Sequence, residues 1–342
     1  MNRLSLYFTG PYQVGLREEP LPAPSADQVL VQTQVSAISA GTELLIYRGQ
    51  APNDMPVDET IPSLAGDLNF PLKYGYTAVG RVIAWGADVA PKWHNRQVFS
   101  FHPHESYFLT SPAELIRVPS GLSPEEATLL ANMETAVNLV MDGQPLIGEQ
   151  VVVLGQGVVG LLTTALLARF PVGRLVTLDR HPIRRQKSME LGAHASLDPA
   201  APGVLAQLFP SLDRQDSYAG ADLTYELSGV PAALDQAIAA TGFDGRVVIG
   251  SWYGRKRVEL DLGGRFHRSR IRLISSQVST IAPAWKGRWT KSRRLDVAWQ
   301  MLQQMRPAQL ITHRFPITQA AQAYALLDQR PGDAIQVTLT YP

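Results

Sequence analysis

Residues 151–160, VVVLGQGVVG, constrain this chain more than any other stretch. Val151 to Leu154 form an apolar run of strand type, Gly155-Gln156-Gly157-Val158-Val159-Gly160 follows without a break, and an apolar helical pattern, LLTTALLARF, lies directly behind. Each glycine has a separate physical reason. Gly155 permits the tight turn, Gly157 removes a Cβ from the path of a pyrophosphate, and Gly160 lets the helix pack closely on the sheet. Phosphates then meet the amide-rich, positive end of that helix. Asp179 ends the next strand, nineteen residues after Gly160. A carboxylate there accepts hydrogen bonds from both adenosine ribose hydroxyls and repels a 2′-phosphate, which makes NAD(H) the expected cofactor. Arg180, Arg184 and Arg185 lie just beyond the strand and keep NADP open, since a guanidinium group can hold the extra phosphate. The plainer alternative is a simple turn, with Asp179 capping a helix at Pro182.

From Gln150 onward the pattern alternates strand and helix: VVVLG, GVVGLLTTALLARF, RLVTLD, PIRRQKSMELGA, ADLTYELSG, PAALDQAIAATG, GRVVIGS. Such alternation predicts an α/β domain whose parallel sheet is covered on both faces. The first 120 or so residues read differently, as short β segments at Val29 to Ser36, Gly80 to Trp85, Gln97 to Phe101 and Glu114 to Val118. Between the two textures, Ser123-Pro124-Glu125-Glu126 carries a capping box with proline at the first helical position, predicting a helix from near Pro124 to near Gly143. A last helix is expected over Leu295 to Met305, and Asp333 to Tyr341 reads as a strand that must pair elsewhere. The densest charge run, Trp285 to Arg294, reads as a solvated connector into that helix.

A length of 342 residues suggests two domains, and the balance of 31 Lys+Arg against 30 Asp+Glu argues against a general affinity for nucleic acid or membrane surfaces. The absence of cysteine excludes disulfides, thiolate nucleophiles, iron–sulfur clusters and cysteine-ligated zinc. No stretch offers the ~18 uninterrupted apolar residues of a membrane span, nor is a signal peptide evident, so a soluble, cytoplasmic protein is expected.

Four blocks make the chain resemble the medium-chain dehydrogenase/reductase superfamily of alcohol dehydrogenase-like proteins: AISAGTELLIYRG, LKYGYTAVGRVIAWGADV, AELIRVPSGLSPEEATLLANMETAV, and the glycine-turn unit with its downstream ELSG and GRVVIG. The GTEL block is similar to the hydroxyethyl-bacteriochlorophyllide dehydrogenase branch. The resemblance implies a GroES-like β domain built from residues 1–125 and 290–342, with a Rossmann nucleotide-binding domain, 126–289, inserted between them and the active site in the cleft. It also implies Ser228, Gly250 and Ser251 as further cofactor contacts, and a homodimer joined through the strand-like IRLISSQV near Ile271. Trp252 and Tyr253 are candidates for the wall of the nicotinamide pocket.

Where zinc-containing relatives carry their ligands, this chain reads Ala40-Gly41-Thr42-Glu43, Gly75-Tyr76-Thr77 and, approximately, Asn132. Zinc takes Cys, His, Asp or Glu, so the resemblance implies a zinc-free member. An alternative metal site from His102, His104, Glu105 and Glu134 is the lesser expectation, though an extended segment would point both imidazoles the same way. Without a Lewis acid, developing charge on oxygen must be met by hydrogen-bond donors. Thr42 aligns with the hydroxyl residue that starts the proton relay, and Tyr76 replaces the ligand histidine; these are the leading catalytic candidates, with His102 or His104 completing a relay. Tyr76 filling the vacated space is an equal reading.

The expected function is a zinc-independent interconversion of a secondary alcohol and a ketone with NAD(P). Two alternatives stay open: an enoyl- or quinone-type C=C reductase, and a non-catalytic nucleotide-binding protein. Arg288, Arg293 and Arg294 in the basic run suggest a small-molecule substrate bearing carboxylates or phosphates.

Overall fold

The computed structural model describes residues 2–52, 61–64, 66–209 and 219–342. It divides into two units, Met1–Ala131 with Trp299–Pro342, and Asn132–Ala298. The divisions fall inside two helices, α3 (Leu130–Gly143) and α8 (Lys291–Met305), a few residues beyond the points where the sequence texture changes.

Numbered along the chain, the first unit contains β1 (Asn2–Gly10), β2 (Gln13–Pro20), β3 (Val29–Ile38), α1 (Ala40–Tyr47), β4 (Ala78–Trp85), β5 (Gln97–Ser100), β6 (Tyr107–Thr110), β7 (Ile116–Arg117), α2 (Pro124–Thr128), β14 (Ile311–Pro316), α9 (Ala320–Gln329) and β15 (Gln336–Thr340). β1 and β2 form an antiparallel hairpin, and the other strands make one sheet in the order β14-β15-β3-β4-β5-β7, with β6 also pairing β3. The closing segment finds its partners here: β15 lies parallel to β14 and antiparallel to β3, Val337 opposite Ile38. This is the GroES-like domain. Its α1 and α9 pack over Phe8, Leu44, Leu45, Tyr324 and Leu327, all buried. The capping box at Ser123 and Glu126 forms, but the helix it starts ends at Thr128 and α3 restarts at Leu130.

The second unit contains β8 (Gln150–Leu154), α4 (Val158–Leu167), β9 (Arg174–Leu178), α5 (Pro182–Glu190), β10 (Ala195–Leu197), α6 (Val204–Leu208), β11 (Ala221–Glu226), α7 (Ala232–Ala240), β12 (Thr241–Ile249) and β13 (Arg272–Ser275). Its sheet runs β10-β9-β8-β11-β12-β13 with every pair parallel. The chain leaves β8 toward one edge through β9 and β10, then returns to β11 and walks to the other. That reversal between β8 and β11 is the switch point of a doubly wound Rossmann sheet, where the carboxyl ends of the strands open a crevice. Near-continuous apolar strands such as VVVL and RLVTL are what a sheet buried on both faces demands. Among the described residues, no helix is long and apolar enough to cross a membrane.

Candidate active site

The glycine turn stands at the switch point. Gly155 has φ +89°, and a Cβ there would meet the carbonyl carbon of Leu227 and the Cα of Ser228 at 2.6 Å, so the turn rests on the backbone that follows β11. A Cβ on Gly160 would sit 1.9 Å from the carbonyl oxygen of Gly155, closing helix against turn. Gly157 differs: nothing lies within 4 Å of its missing side chain. It is the N-cap of α4 and supplies no side-chain cap, so the first amides of the helix, at Val158 and Val159, open onto that space.

Asp179 follows β9 and is 7% exposed. Its Oδ2 accepts from the Gln156 amide at 2.7 Å and its Oδ1 from the His181 amide at 2.8 Å. The carboxylate therefore braces the glycine turn and the chain entering α5, whose N-cap, His181, has no side-chain cap. Each oxygen still has a second acceptor site for a ribose hydroxyl. Arg184 comes within 4.0 Å of Oδ2, Arg180 is exposed, and Arg185 donates to the carbonyls of Asp179 and Arg180 at 2.8 and 2.9 Å. The Gln156 side chain turns inward, donating to the Gly155 carbonyl at 3.1 Å and accepting from Thr164 at 2.9 Å. The side chain and the amide of Gln156 are therefore both engaged within the protein.

At the end of β11 lies a group that sequence reading passed over. Glu226 is fully buried, with Oε1 accepting from the Ser228 amide at 2.8 Å and Oε2 from the Tyr253 hydroxyl at 2.5 Å. Burial and this neighbouring charge push the Tyr253 phenol well above its ordinary range. Ser251 accepts from the Gly229 amide at 2.9 Å, and a Cβ on Gly250 would collide with Leu139 and Leu227. The only sequence signal for Glu226 is its position at the carboxyl end of an apolar strand.

In the first unit, Ser39 is the N-cap of α1, yet its hydroxyl does not cap. Glu43 reaches back to the Ser39 amide at 2.7 Å, and the hydroxyl bonds instead to the Tyr76 phenol. Thr42 Oγ1 lies 3.4 Å from the same phenol, so Thr42 and Tyr76 are brought together. Behind them runs a buried chain: Glu43 Oε2 pairs with His104 Nε2 at 3.0 Å and accepts from Tyr324, while His104 Nδ1 meets Ser36 Oγ at 2.7 Å, which meets Tyr341 at 2.7 Å. Burial, reinforced by Glu43, drives the Tyr324 phenol far up, and burial also raises Tyr341. The His104 ring occupies the face of Gly75 (φ +123°), where a Cβ would meet it at 2.8 Å.

The two histidines do not point the same way. The segment bends between them, and His102 stacks on Phe108 with ring centroids 4.0 Å apart and faces Glu105 at 3.3 Å. Its side borders a separate cavity of about 490 Å³, lined among others by Arg3, Tyr7, Lys73 and Glu105. Lys73 bridges Glu105 and Glu19 at 2.5 and 2.9 Å. Burial alone would raise both carboxyls; bonds from His102 and Lys73 hold Glu105 below its ordinary value, and bonds from Tyr7, Lys73 and Ser5 hold Glu19 at about 2.

The connector reading of the basic run needs correction. Glu134 is buried and paired with Arg294 at 2.8 Å. Arg294, assigned to a solvated connector, is itself fully buried inside α8, which begins at Lys291. It is therefore unavailable to a substrate. Arg288 and Arg293 stay exposed, each lying over a tryptophan ring, Trp285 and Trp289.

The positions where zinc would need ligands carry a methyl group at Ala40 and, at Tyr76, a phenol already held by Ser39. Among the described residues no group of three or more His, Asp or Glu is placed so that it could hold a metal ion. This donor set does not fit a tetrahedral zinc.

A switch-point crevice with a phosphate turn, on a chain whose other unit is a GroES-like domain holding paired hydroxyls, defines a two-domain dehydrogenase/reductase. A family profile described as zinc-binding dehydrogenase matches residues 158–292. The comparisons support an oxidoreductase of the medium-chain dehydrogenase/reductase type. It is 24% identical to an uncharacterized zinc-type alcohol dehydrogenase-like protein of Escherichia coli, covering 99% of each chain. It is 23% identical to the 2-desacetyl-2-hydroxyethyl bacteriochlorophyllide A dehydrogenase of Cereibacter sphaeroides, covering 100% of this chain and 99% of that one. The solved structure of a short chain alcohol dehydrogenase of Escherichia coli, complexed with NADH, superposes with a TM-score of 0.78 at 19% identity, covering 99% of each.

Proposed function

We propose that this protein interconverts a secondary alcohol and a ketone with a nicotinamide dinucleotide, without zinc. The observation that carries the reading is the pairing of Tyr76 with Ser39 and Thr42 where relatives place a metal ligand. NAD(P) is the cofactor, held by the amides of Val158 and Val159 beside open Gly157 and by Asp179, with NAD(H) preferred because the buried carboxylate repels a 2′-phosphate. Bound there, the nicotinamide gives or accepts the hydride. The protein's task is the proton and the oxygen. In reduction the Tyr76 phenol gives its proton to the oxygen that gains charge while Thr42 donates a hydrogen bond to it, and the phenol is reprotonated from water through the Ser39 hydroxyl; oxidation runs the same path in reverse, the phenol taking the substrate proton as it passes its own to Ser39. Ser39 fixes the phenol, and Glu43 fixes Ser39. His104, tied between Ser36 and Glu43, supports this arrangement from behind. The relatives' names point to hydroxyl-bearing small molecules as substrates. Exposed Arg288 and Arg293 favour acidic ones, and the β13 edge, with Leu273 exposed, is the proposed homodimer seam.

The test is NADH- and NADPH-dependent reduction of a ketone panel after exhaustive chelation. Undiminished turnover is expected, and Asp179→Ser with Arg180 and Arg184 retained should shift preference toward NADPH about tenfold or more. Turnover abolished by the chelator and restored by added zinc sinks the proposal.

A further inference from the structure

A polar stripe on α3 is locked to the loop after β13 by one guanidinium group. Arg294 is 0% exposed, and every one of its N–H groups has an acceptor. Nε and Nη2 donate to Glu134 Oε1 at 3.1 and 2.8 Å, and Nη1 to Asn138 Oδ1 at 2.5 Å. The remaining N–H groups go to backbone, Nη1 to the Thr280 carbonyl at 3.3 Å and Nη2 to that of Val278. Asn138 and Asp142, one and two turns along α3, hold the Ser276 hydroxyl at 3.0 and 2.7 Å. Ser276 is also fastened to the sheet, its amide donating to the Ile249 carbonyl at 2.9 Å.

The loop so fastened, residues 276–280, begins at the carboxyl end of β13. Asp179 marks the adenosine side at β9 and Gly157 the pyrophosphate at β8. The rest of an extended dinucleotide must therefore cross the carboxyl ends of β11, β12 and β13, about 5 Å per strand. A buried ion pair is poor evidence for stability, because an apolar pair of equal volume often serves as well. Its retention is better explained by what it positions. We infer that Arg294, through Glu134 and Asn138, is a positioning residue that holds the 276–280 loop against the nicotinamide half of the cofactor. This rests on the dinucleotide reading above.

The experiment compares NADH with ADP-ribose, which lacks the nicotinamide, by calorimetric titration of the full chain. The Glu134→Met/Arg294→Met double variant removes both charges at similar volume, and Ser276→Ala removes the lighter pin. The double variant is expected to bind NADH about tenfold more weakly with ADP-ribose affinity within about twofold of wild type, and Ser276→Ala to show the same split at about threefold. Equal losses for both ligands, or no loss for either, overturn the positioning role; Ser276→Ala decides the matter if the double variant does not fold. Wild-type protein that binds neither ligand removes the dinucleotide reading itself, and the inference with it.

Discussion

The proposed cofactor side and the proposed alcohol side of this protein are built by opposite means. The Rossmann unit makes its ligand surface from backbone: a turn whose side chains are deleted at Gly155, Gly157 and Gly160, and helix amides left uncapped. The GroES-like unit makes its surface from side chains drawn from α1, from Tyr76 ahead of β4, from His104 and from Tyr324 on α9. A backbone site depends on shape within a dozen consecutive residues. A side-chain site depends on a network in which each hydroxyl is held by the next, so its members are scattered and its failure is graded.

The contrast is broken or sharpened first at the glycines. Gly160→Val drives a side chain into the Gly155 carbonyl and should unfold the Rossmann unit or lower its stability by more than about 3 kcal/mol, read by thermal melting. Gly157→Val meets no neighbour, so melting should be unchanged while NADH binding weakens at least about a hundredfold. If both variants behave alike, the two glycines do not have the separate roles assigned here. Tyr76→Phe comes next: it keeps the ring against Tyr74 (centroids 6.1 Å apart) but removes the hydroxyl, and kcat should fall about a hundredfold with NADH affinity intact. A kcat within twofold of wild type makes Tyr76 a space-filler.

The smallest effect belongs to the charged cluster of the GroES-like unit. Glu19 is held at about 2 in the folded protein against 4.5 ordinarily, so its contribution is present above pH 4.5 and lost as pH falls toward 2. Glu19→Gln should flatten part of the decline in urea midpoint across that window and leave the midpoint above pH 5 little more than shifted. An unaltered slope would show that Lys73 and Tyr7 do not hold this carboxylate.

The same contrast explains what could be read from sequence. The alternation of strand and helix in the Rossmann unit, the turn and Asp179 follow from local pattern, because period, glycine spacing and strand ends are encoded within short windows. Tyr76 beside Thr42 was legible only by resemblance to relatives. The Glu43–His104–Ser36 chain was not legible, since those residues are up to 68 positions apart and no periodicity links them. Arg294 misled for a related reason: in WKGRWTKSRR it is one cation among several, and only the facing Glu134 and Asn138 of α3 distinguish it. Charge runs are ordinarily solvated, and a buried exception is visible only once its partner has been folded against it.

The sheet order β14-β15-β3 has a consequence for how the molecule is made. On the ribosome, the contiguous Rossmann unit is complete and free to fold while residues 35–38 of β3, beyond the stretch that β6 covers, still expose an unpaired edge. That edge waits for residues 336–340, synthesised some three hundred positions later, to be covered. During translation the older half is thus the one at risk of pairing with a stranger, and chaperone dependence should track the delay before β15 emerges.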